Sequence, residues 1–271
     1  MAMDDLLSLL RIAYYGLMAG TFAFLLLWED GSPLVRSVPA RRRHVLRNLA
    51  LFVCVVAVAD GVVGAWLLDI PSRLTVAPPG LLTPLALPLA AQVLVAFVVI
   101  DLVGYAVHRV FHAQRWLWLL HSVHHSDSQV DVSTSVRHHP IEVAIDVTLK
   151  LGLYLLLGLP LWIEAARTLL MNPLSMVQHA NIAYPAWVER TLRWLLVTPA
   201  MHRVHHLAEA RDTNANFGQC LSVWDRIFGT YRVPDPARAP RFGLDKLHDN
   251  AFQSVAGMLL TPVRARRLPT L

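Results

Sequence analysis

Hydrophobic residues concentrate in three long segments in the N-terminal part of this 271-residue chain. These segments cover residues 12–28, 45–68 and 85–107. A helix needs about 20 mostly apolar residues to cross a bilayer, so the second and third segments predict membrane-spanning helices. The first segment reaches this length when its flank from Leu6 is included. The pattern therefore predicts a protein that is integral to a membrane.

A fourth apolar region, residues 141–177, is broken by Gly158-Leu-Pro160 and by charged residues. Because glycine and proline interrupt helices, this region predicts a helical hairpin that turns near Pro160 and crosses only part of the bilayer. Residues 187–196 mix tryptophan and leucine with charged side chains, which is typical of a helix lying in the membrane interface. Strand patterns are nearly absent. The predicted fold is an all-α membrane bundle with about four spanning or hairpin segments.

The distribution of positive charge predicts the orientation of the bundle. Residues 36–47 contain five arginines, whereas residues 69–83 contain only Arg73. The positive-inside rule places the first of these loops in the cytoplasm. The same rule then brings the polar, histidine-rich part of the chain to the cytoplasmic face. The N-terminus lacks the basic region and cleavage site of a signal peptide, so the first segment is expected to be a retained helix.

Composition supports this class of protein. The chain is 55% hydrophobic and 16% charged, and its mean hydropathy of +0.45 is too high for an ordinary soluble domain. The net charge of +5 favours contact with anionic lipid headgroups over nucleic acid, since no nucleic-acid motif is present. Cys54 and Cys220 have no CxxC spacing and are expected to be free and reduced.

The histidines carry the candidate chemistry. Ten of the 13 fall into three clusters, and an eleventh stands between the second and third clusters. So many imidazoles exceed the needs of one zinc ion and predict a site for two metals, although imidazole ligands suit iron, zinc, copper and nickel alike. The first cluster joins an HxxxH motif and an HxxHH motif, the second is a histidine pair and the third is another HxxHH motif. Their members are His108, His112, His121, His124 and His125; His138 and His139; and His202, His205 and His206, with His179 alone.

Helix geometry suggests how these motifs act. His108 and His112 are one turn apart on one face of the third apolar helix, and Asp101 and Tyr105 share that face. Asp101 is expected to accept a hydrogen bond from a ligating imidazole, with direct ligation as the alternative. In each HxxHH motif, positions one and four are expected to face together. The fifth is rotated about 100° further, so that one turn supplies two neighbouring metals.

The remaining histidines are assigned less chemistry. His44 in the basic loop and His248 in the tail are expected to be ordinary surface residues. His139 is preferred to His138 as a ligand because it precedes Pro140, although either could cap the helix that follows.

The combined pattern resembles the fatty acid hydroxylase/sterol desaturase superfamily of membrane-bound di-iron oxygenases. The resemblance covers about residues 94–231, roughly half of the chain. The matching motifs are Asp101-x-x-x-Tyr105-x-x-His108-Arg109-x-x-His112, His121-Ser-Val-His124-His125-Ser126, Arg137-His-His139-Pro140-x-Glu142, Gln178-His179-x-Asn181, Thr198-Pro199-x-x-His202-Arg203-Val204-His205-His206, Asn216-Phe-Gly218 and Leu221-Ser-Val-Trp224-Asp225-Arg226-Ile-Phe228-Gly229-Thr230-Tyr231.

The resemblance implies a cytoplasmic histidine-rich cap on the bundle, two iron ions, O2 as the oxidant and a lipid substrate. The chain is expected to form one cooperative unit, in which a di-iron catalytic domain (84–235) lies between membrane helices (residues 1–83) and a basic tail (236–271). Asp101, Tyr105, Glu142, Asn181 and Asp225 would support the ligands. The ligands themselves would be His108, His112, His121, His124, His125, His139, His179, His202, His205 and His206.

Three functions are compatible with these motifs. The leading hypothesis is an O2-dependent lipid hydroxylase or desaturase in the bacterial inner membrane, with hydroxylation favoured. It would need a separate ferredoxin- or cytochrome-type electron donor, because no haem, flavin or dinucleotide motif is present. The second hypothesis is a metal transporter or sensor, for which Asp60 and Asp101 are the only candidate polar residues within the spans. The third, a zinc hydrolase, lacks an HExxH motif.

Overall fold

The computed structural model describes residues 3–35, 40–66, 78–233 and 240–268. Within these residues the chain is helical, has no strand, and contains only three isolated β-bridges. The predicted all-α fold is therefore confirmed. The α-helices are α1 (Met3–Gly31), α2 (Arg41–Trp66), α3 (Leu89–Ala113), α4 (Arg115–His125), α5 (Pro140–Leu157), α6 (Leu161–His179), α7 (Ala186–Leu192), α8 (Pro199–His205), α9 (Ala210–Thr213), α10 (Val223–Ile227), α11 (Asn250–Gln253) and α12 (Val255–Arg264).

The three predicted spanning segments are helices of sufficient length and hydrophobicity to cross a membrane. They are Ile12–Gly31 within α1, Arg41–Val62 within α2, and all of α3. Helix α3 continues beyond the apolar segment, so its last two turns carry the HxxxH motif. The loops with Arg36 and Arg73, and residues 234–239, lie outside the described residues. The orientation inferred from charge stays a prediction.

Helices α5 and α6 form the predicted hairpin. Gly158 ends α5 with a φ of 73°, a left-handed conformation that glycine adopts without steric cost, and Pro160 precedes the first turn of α6. Gly80 packs against this turn so closely that a Cβ would lie 2.2 Å from the Gly158 nitrogen. The Leu81 N–H donates to the Leu156 carbonyl at 2.9 Å, which pairs one of the carbonyls that a helix end leaves free.

The C-terminal part of the chain packs against two helices that precede it. Helix α12 packs on α2 and α4 through Met258, Leu51 and Val123, all fully buried. On either side of Met258 in the sequence, Leu247 and Ala265 pack against Leu119 of α4. The C-terminal segment is therefore packed against the helix that carries the first HxxHH motif.

The segment predicted to lie in the interface forms α7 and the turn after it. Trp187, Trp194 and Leu195 expose 65%, 68% and 61% of their surface. Exposed tryptophans of this kind suit the headgroup region of a membrane.

Candidate metal centre

Nine histidines come together in two adjacent groups between α3, α4, α6 and α8. In each group, one ring nitrogen from every histidine lies within 4.8 Å of those of the others. All nine side chains are buried or half-buried. The first group consists of His108, His112, His121, His125 and His205, and the second group consists of His124, His179, His202 and His206.

Each HxxHH motif divides between the two groups, but the expected pairing of positions one and four is wrong. His121 and His125 enter the first group and His124 the second, whereas His202 and His206 enter the second group and His205 the first. At 100° per residue, positions one and five of a helix are 40° apart, and positions four and five are 100° apart. Positions one and five therefore share a face, while position four points to the neighbouring group.

Nitrogens within each group approach as closely as ligands of a common cation. The Nε2 atoms of His108 and His121 are 3.1 Å apart, and those of His179 and His202 are 2.8 Å apart. His124 Nε2 lies 3.2 Å from His179 Nε2. Two imidazole nitrogens bound at right angles to one metal, each at about 2.1 Å, would be about 3.0 Å apart. The spacing fits a metal ion.

The protonation of these rings supports the same conclusion. His108 and His179 donate through Nδ1 to the carbonyls of Phe217 (2.9 Å) and Ser175 (2.7 Å). His124 Nδ1 lies 3.2 Å from a further carbonyl. Because a carbonyl only accepts, Nδ1 carries the proton and a neutral ring presents a bare Nε2 lone pair. Facing lone pairs such as those of His124 and His179 repel each other unless a cation lies between them.

Several buried nitrogens have no partner among the described residues. His112, His125 and His205 each leave Nε2 without a hydrogen bond, and all three belong to the first group. A buried polar atom without a partner costs about 1–3 kcal/mol. Coordination of a metal would remove this cost, so the residues present fit a cation in each group.

Burial also keeps the histidines of the cap neutral. It lowers the pKa of each well below 6.5, and the neighbouring imidazoles lower it further by electrostatic repulsion. Neutral imidazole is the form that binds metals. The histidines affected outside the membrane-spanning helices are His124, His125, His202, His205 and His206.

A loop after α9 orients two ligands of the first group. His205 Nδ1 donates to the Ala215 carbonyl at 2.7 Å. His108 Nδ1 donates to the Phe217 carbonyl of the same loop at 2.9 Å. Between them, Asn216 has a left-handed φ of 54°, and its side chain bonds the backbone of Met201 and Arg232. The Asn-Phe-Gly motif in the sequence marks this turn.

Asp101 holds the same loop and contacts no imidazole among the described residues, so its expected bond to a ligand is wrong. Its carboxylate accepts from the backbone nitrogens of Cys220 (3.0 Å) and Leu221 (3.1 Å) and from Trp224 Nε1 (2.8 Å). Asp225 acts similarly, accepting from the nitrogens of the Phe-Gly pair at 2.8 and 2.9 Å. Both carboxylates support the ligands indirectly, through the backbone.

Tyr105 and Asn181 also form hydrogen bonds with residues other than the histidines. The Tyr105 hydroxyl is 2.9 Å from Thr230 Oγ1, and its ring stacks on Phe228. Asn181 pairs with the backbone of Val35 through both polar atoms of its side chain. These contacts brace the loop beside α3 and the end of α6.

Glu142 contacts the site directly. Its Oε1 accepts from His121 Nδ1 at 2.7 Å and from His138 Nδ1 at 3.0 Å. The His138 ring also stacks on His124 at 4.3 Å. His139, which the sequence favoured, points elsewhere: Nδ1 accepts from the Ile141 N–H and Nε2 contacts the Leu259 carbonyl. It caps α5, and it lies outside both histidine groups.

The other two histidines differ from each other. His248 is exposed, as expected. His44 is not a surface residue: it is 11% exposed, and its Nε2 lies 3.5 Å from Asp127 and 3.7 Å from Asp131. The first turn of α2 packs against the turn that contains these acids. The run of arginines around His44 is typical of an exposed loop, so the sequence did not indicate this contact.

Arg137 is a structural residue that sequence reasoning assigned no role. Its buried guanidinium donates to Val123 O (2.8 Å), Asn48 Oδ1 (2.9 Å) and Gln253 Oε1 (2.9 Å). Its own carbonyl is the partner of His124 Nδ1 at 3.2 Å. Arg137 therefore joins α2, α4 and the tail behind the second group. Its place immediately before the histidine pair was the available signal.

A cavity of about 570 Å³ opens beside the histidines. Histidines of both groups line it, including His108, His121 and His202. Its walls come from α1, α2, α5 and α6, with apolar side chains such as Phe52 and Val147. A mostly apolar cavity that ends on polar ligands is typical of a small-molecule site.

Comparison with known proteins identifies the family of this chain. Residues 93–230, about half of the chain, match the family model for fatty acid hydroxylases. The chain therefore belongs to the fatty acid hydroxylase family, which confirms the resemblance drawn from the histidine motifs. The matched region contains every histidine of the two groups.

Three curated relatives show the range of the similarity. The chain is 31% identical to the ornithine lipid hydroxylase OlsE of Rhizobium tropici over 164 residues, covering 58% of this chain and 46% of the relative. It is 31% identical to an alkylglycerol monooxygenase of Danio rerio over 145 residues (50% and 29%). It is 26% identical to sphinganine C4-monooxygenase 1 of Arabidopsis thaliana over 172 residues (62% and 61%). The chain spans less than half of the first two relatives. No solved structure matches it.

Proposed function

We propose that this protein is a membrane-bound hydroxylase that inserts an oxygen atom from O2 into an unactivated C–H bond of a lipid. The observation that carries the proposal is the pair of histidine groups at the wall of a largely apolar cavity. The names of the three relatives, an ornithine lipid hydroxylase, an alkylglycerol monooxygenase and a sphinganine C4-monooxygenase, favour hydroxylation over desaturation.

Iron is the metal proposed for both groups. Two iron ions held there would supply the O2 activation and hydrogen abstraction for which no protein side chain has an equivalent. The proposed ligands are the nine histidines of the two groups. Of the pair His138 and His139, we assign His139 to capping of α5. We assign His138 to the edge of the site, where it is hydrogen-bonded to Glu142.

The residues of the chain prepare the site for this reaction. Hydrogen bonds from Nδ1 hold the rings of His108, His121 and His205 with Nε2 directed inwards. Preorganised ligands of this kind lower the cost of assembling the metal centre. Burial of the rings keeps bulk water away, and the apolar cavity walls would hold an alkyl chain beside the metals.

Further parts of the proposal follow from the fold and the charge pattern. We place the histidine cap on the cytoplasmic face of a bacterial inner membrane. Each hydroxylation consumes O2, two electrons and two protons and releases one water, so a separate ferredoxin- or cytochrome-type protein would supply the electrons. Residues 84–235 would form the catalytic domain, between the membrane helices (1–83) and the basic tail (236–271).

A metal transporter is the principal alternative. Transport needs polar residues that continue across the membrane. Of the two candidates, Asp101 is engaged by three donors of the cap, and only Asp60 lines the cavity. Uptake of metal into proteoliposomes would favour transport. Zinc in the purified protein with activity under anaerobic conditions would favour a hydrolase.

The decisive experiment compares lipid extracts from cells with and without the protein, grown with and without oxygen. An oxygen-dependent product 16 mass units heavier, together with iron in the purified protein, is expected. His124→Ala and His205→Ala, one substitution in each group, should abolish the product while the protein still inserts into the membrane. Full activity in either variant would refute the proposed centre.

A further inference from the structure

One face of α5 presents acidic and basic groups to the cavity at intervals of one helical turn. Glu142, Asp146 and Lys150 are spaced four residues apart, and all three line the cavity. Glu142 is hydrogen-bonded to the histidines. At 1.5 Å per residue, Lys150 lies about 12 Å further along the helix from Glu142. The cavity therefore has a second polar region away from the candidate metal centre.

The Asp146–Lys150 pair has unused hydrogen-bonding capacity. Lys150 Nζ donates to Asp146 Oδ2 at 2.6 Å, and neither side chain has another hydrogen-bond partner among the described residues. An ammonium has three donors and a carboxylate has two acceptor oxygens. The Lys150 side chain is 18% exposed and the Asp146 side chain is 31% exposed, so both groups are accessible within the cavity. One positive and one negative group are thus available side by side.

The other ion pair in the cavity differs in this respect. Arg167 binds Glu164 through two parallel hydrogen bonds of 2.7 and 2.8 Å, and Thr168 adds a third contact to the same carboxylate. Such a bidentate pair satisfies most of its own polar groups. The Arg167 side chain is only 6% exposed. This pair is better suited to holding α6 than to binding a ligand.

Charged groups are costly to place at the wall of a largely apolar cavity unless they are paired with an opposite charge. A neutral alkyl chain gains nothing from the Asp146–Lys150 pair. A purely anionic or cationic group would pair with one partner and be repelled by the other. A group with both charges can approach the pair with each of its charges opposite the complementary one.

We propose that Asp146 and Lys150 form a subsite for the zwitterionic headgroup of the lipid substrate. The inference rests on the proposed function and adds the class of substrate. Because Asp146 and Lys150 lie about 6 and 12 Å along the helix axis from Glu142, which supports His121, the reacting carbon would lie along the chain rather than beside the headgroup.

The test uses four single-chain probes with the same hexadecyl or palmitoyl chain and different heads. They are a phosphocholine (zwitterionic), a monoacylglycerol (neutral), a free fatty acid (anionic) and a trimethylammonium (cationic). Binding to the metal-free protein in detergent is measured for wild type and for the double variant Asp146→Asn/Lys150→Met, which removes both charges and keeps similar side-chain shapes. Arg241→Met/Asp245→Asn removes an ion pair of the same spacing and 2.6 Å length at the surface, and is the matched control.

The expected result is that wild type binds the zwitterionic probe at least tenfold more tightly than the other three. The double variant should lose this preference while binding the neutral probe within twofold of wild type, and the control should retain it. An equal loss for all four probes would show a purely structural role and overturn the subsite. So would a wild type without preference. Oxygen-dependent product from wild-type cells is measured separately, so its absence would refute the proposed function without bearing on headgroup binding.

Discussion

Replacement of Glu142 by glutamine tests whether the carboxylate behind His121 controls the affinity of the metal centre. The carboxylate accepts two imidazole N–H groups, at 2.7 and 3.0 Å. A hydrogen bond to a charged group contributes about 1.5–3 kcal/mol, compared with about 1 kcal/mol for a neutral one. Glutamine keeps the shape and one acceptor but loses the charge, so the bond to His121 should weaken by about 1–2 kcal/mol.

Loss of this magnitude corresponds to a decrease in metal affinity of about 5- to 30-fold, because each 1.4 kcal/mol is a factor of ten. Affinity is measured by competition between the purified protein and a chelator for Fe²⁺ under anaerobic conditions. The thermal unfolding of the metal-free variant is recorded in the same detergent, which separates affinity from stability.

The matched control is Glu29→Gln. Glu29 is also a buried glutamate that accepts hydrogen bonds, from the backbone nitrogens of Val132 (2.8 Å) and Asn181 (2.7 Å) and from the Arg41 guanidinium, but it contacts no imidazole among the described residues. This control is expected to lose stability while its metal affinity changes less than threefold. An unchanged affinity in Glu142→Gln, or an equal loss in both variants, would refute the reasoning.

Two further predictions concern stability. Asp101→Ala leaves one buried donor, the Cys220 N–H, and two half-buried donors, the Leu221 N–H and Trp224 Nε1–H, without their acceptor. It should lower the free energy of unfolding by about 3–5 kcal/mol, which urea unfolding in detergent measures. Leu94→Ala, on the exposed side of the same helix, should change it by less than about 1 kcal/mol. The metal-free protein should lose stability between pH 7 and pH 5. The pKa of each of the five cap histidines is lowered, so the unfolded state binds more protons below pH 6.5, and each contributes a slope of up to about 1.4 kcal/mol per pH unit. Stability independent of pH over this range would contradict the neutral assignment.

Much of the fold could be predicted because hydrophobic length and breakers are local signals. The three spanning helices and the hairpin turn at Gly158 follow from consecutive residues, and so does the position of the HxxxH motif at the end of α3. The histidine motifs also identified the family, because their spacing reflects helical turns.

The partners of individual side chains could not be predicted in the same way. Helical periodicity indicates which residues share a face, but not what lies opposite. Asp101 shares the face of His108, yet its acceptor atoms are taken by a backbone segment about 120 residues later. The choice between His138 and His139 depends on the backbone at the start of α5, where the extended conformation of His139 turns its ring back to cap the helix.

The division of the HxxHH motifs explains why the two groups form one structural unit. The motif on α4 supplies positions one and five to the first group and position four to the second. The motif on α8 supplies positions one and five to the second group and position four to the first. Neither group is complete unless α4 and α8 are docked, and Nε2 atoms from both helices converge in each. Because the free energy of metal binding stabilises whatever interface presents the ligands, occupation of either group would stabilise the same contact between α4 and α8. A metal in one group would therefore also hold in place the ligands of the other group.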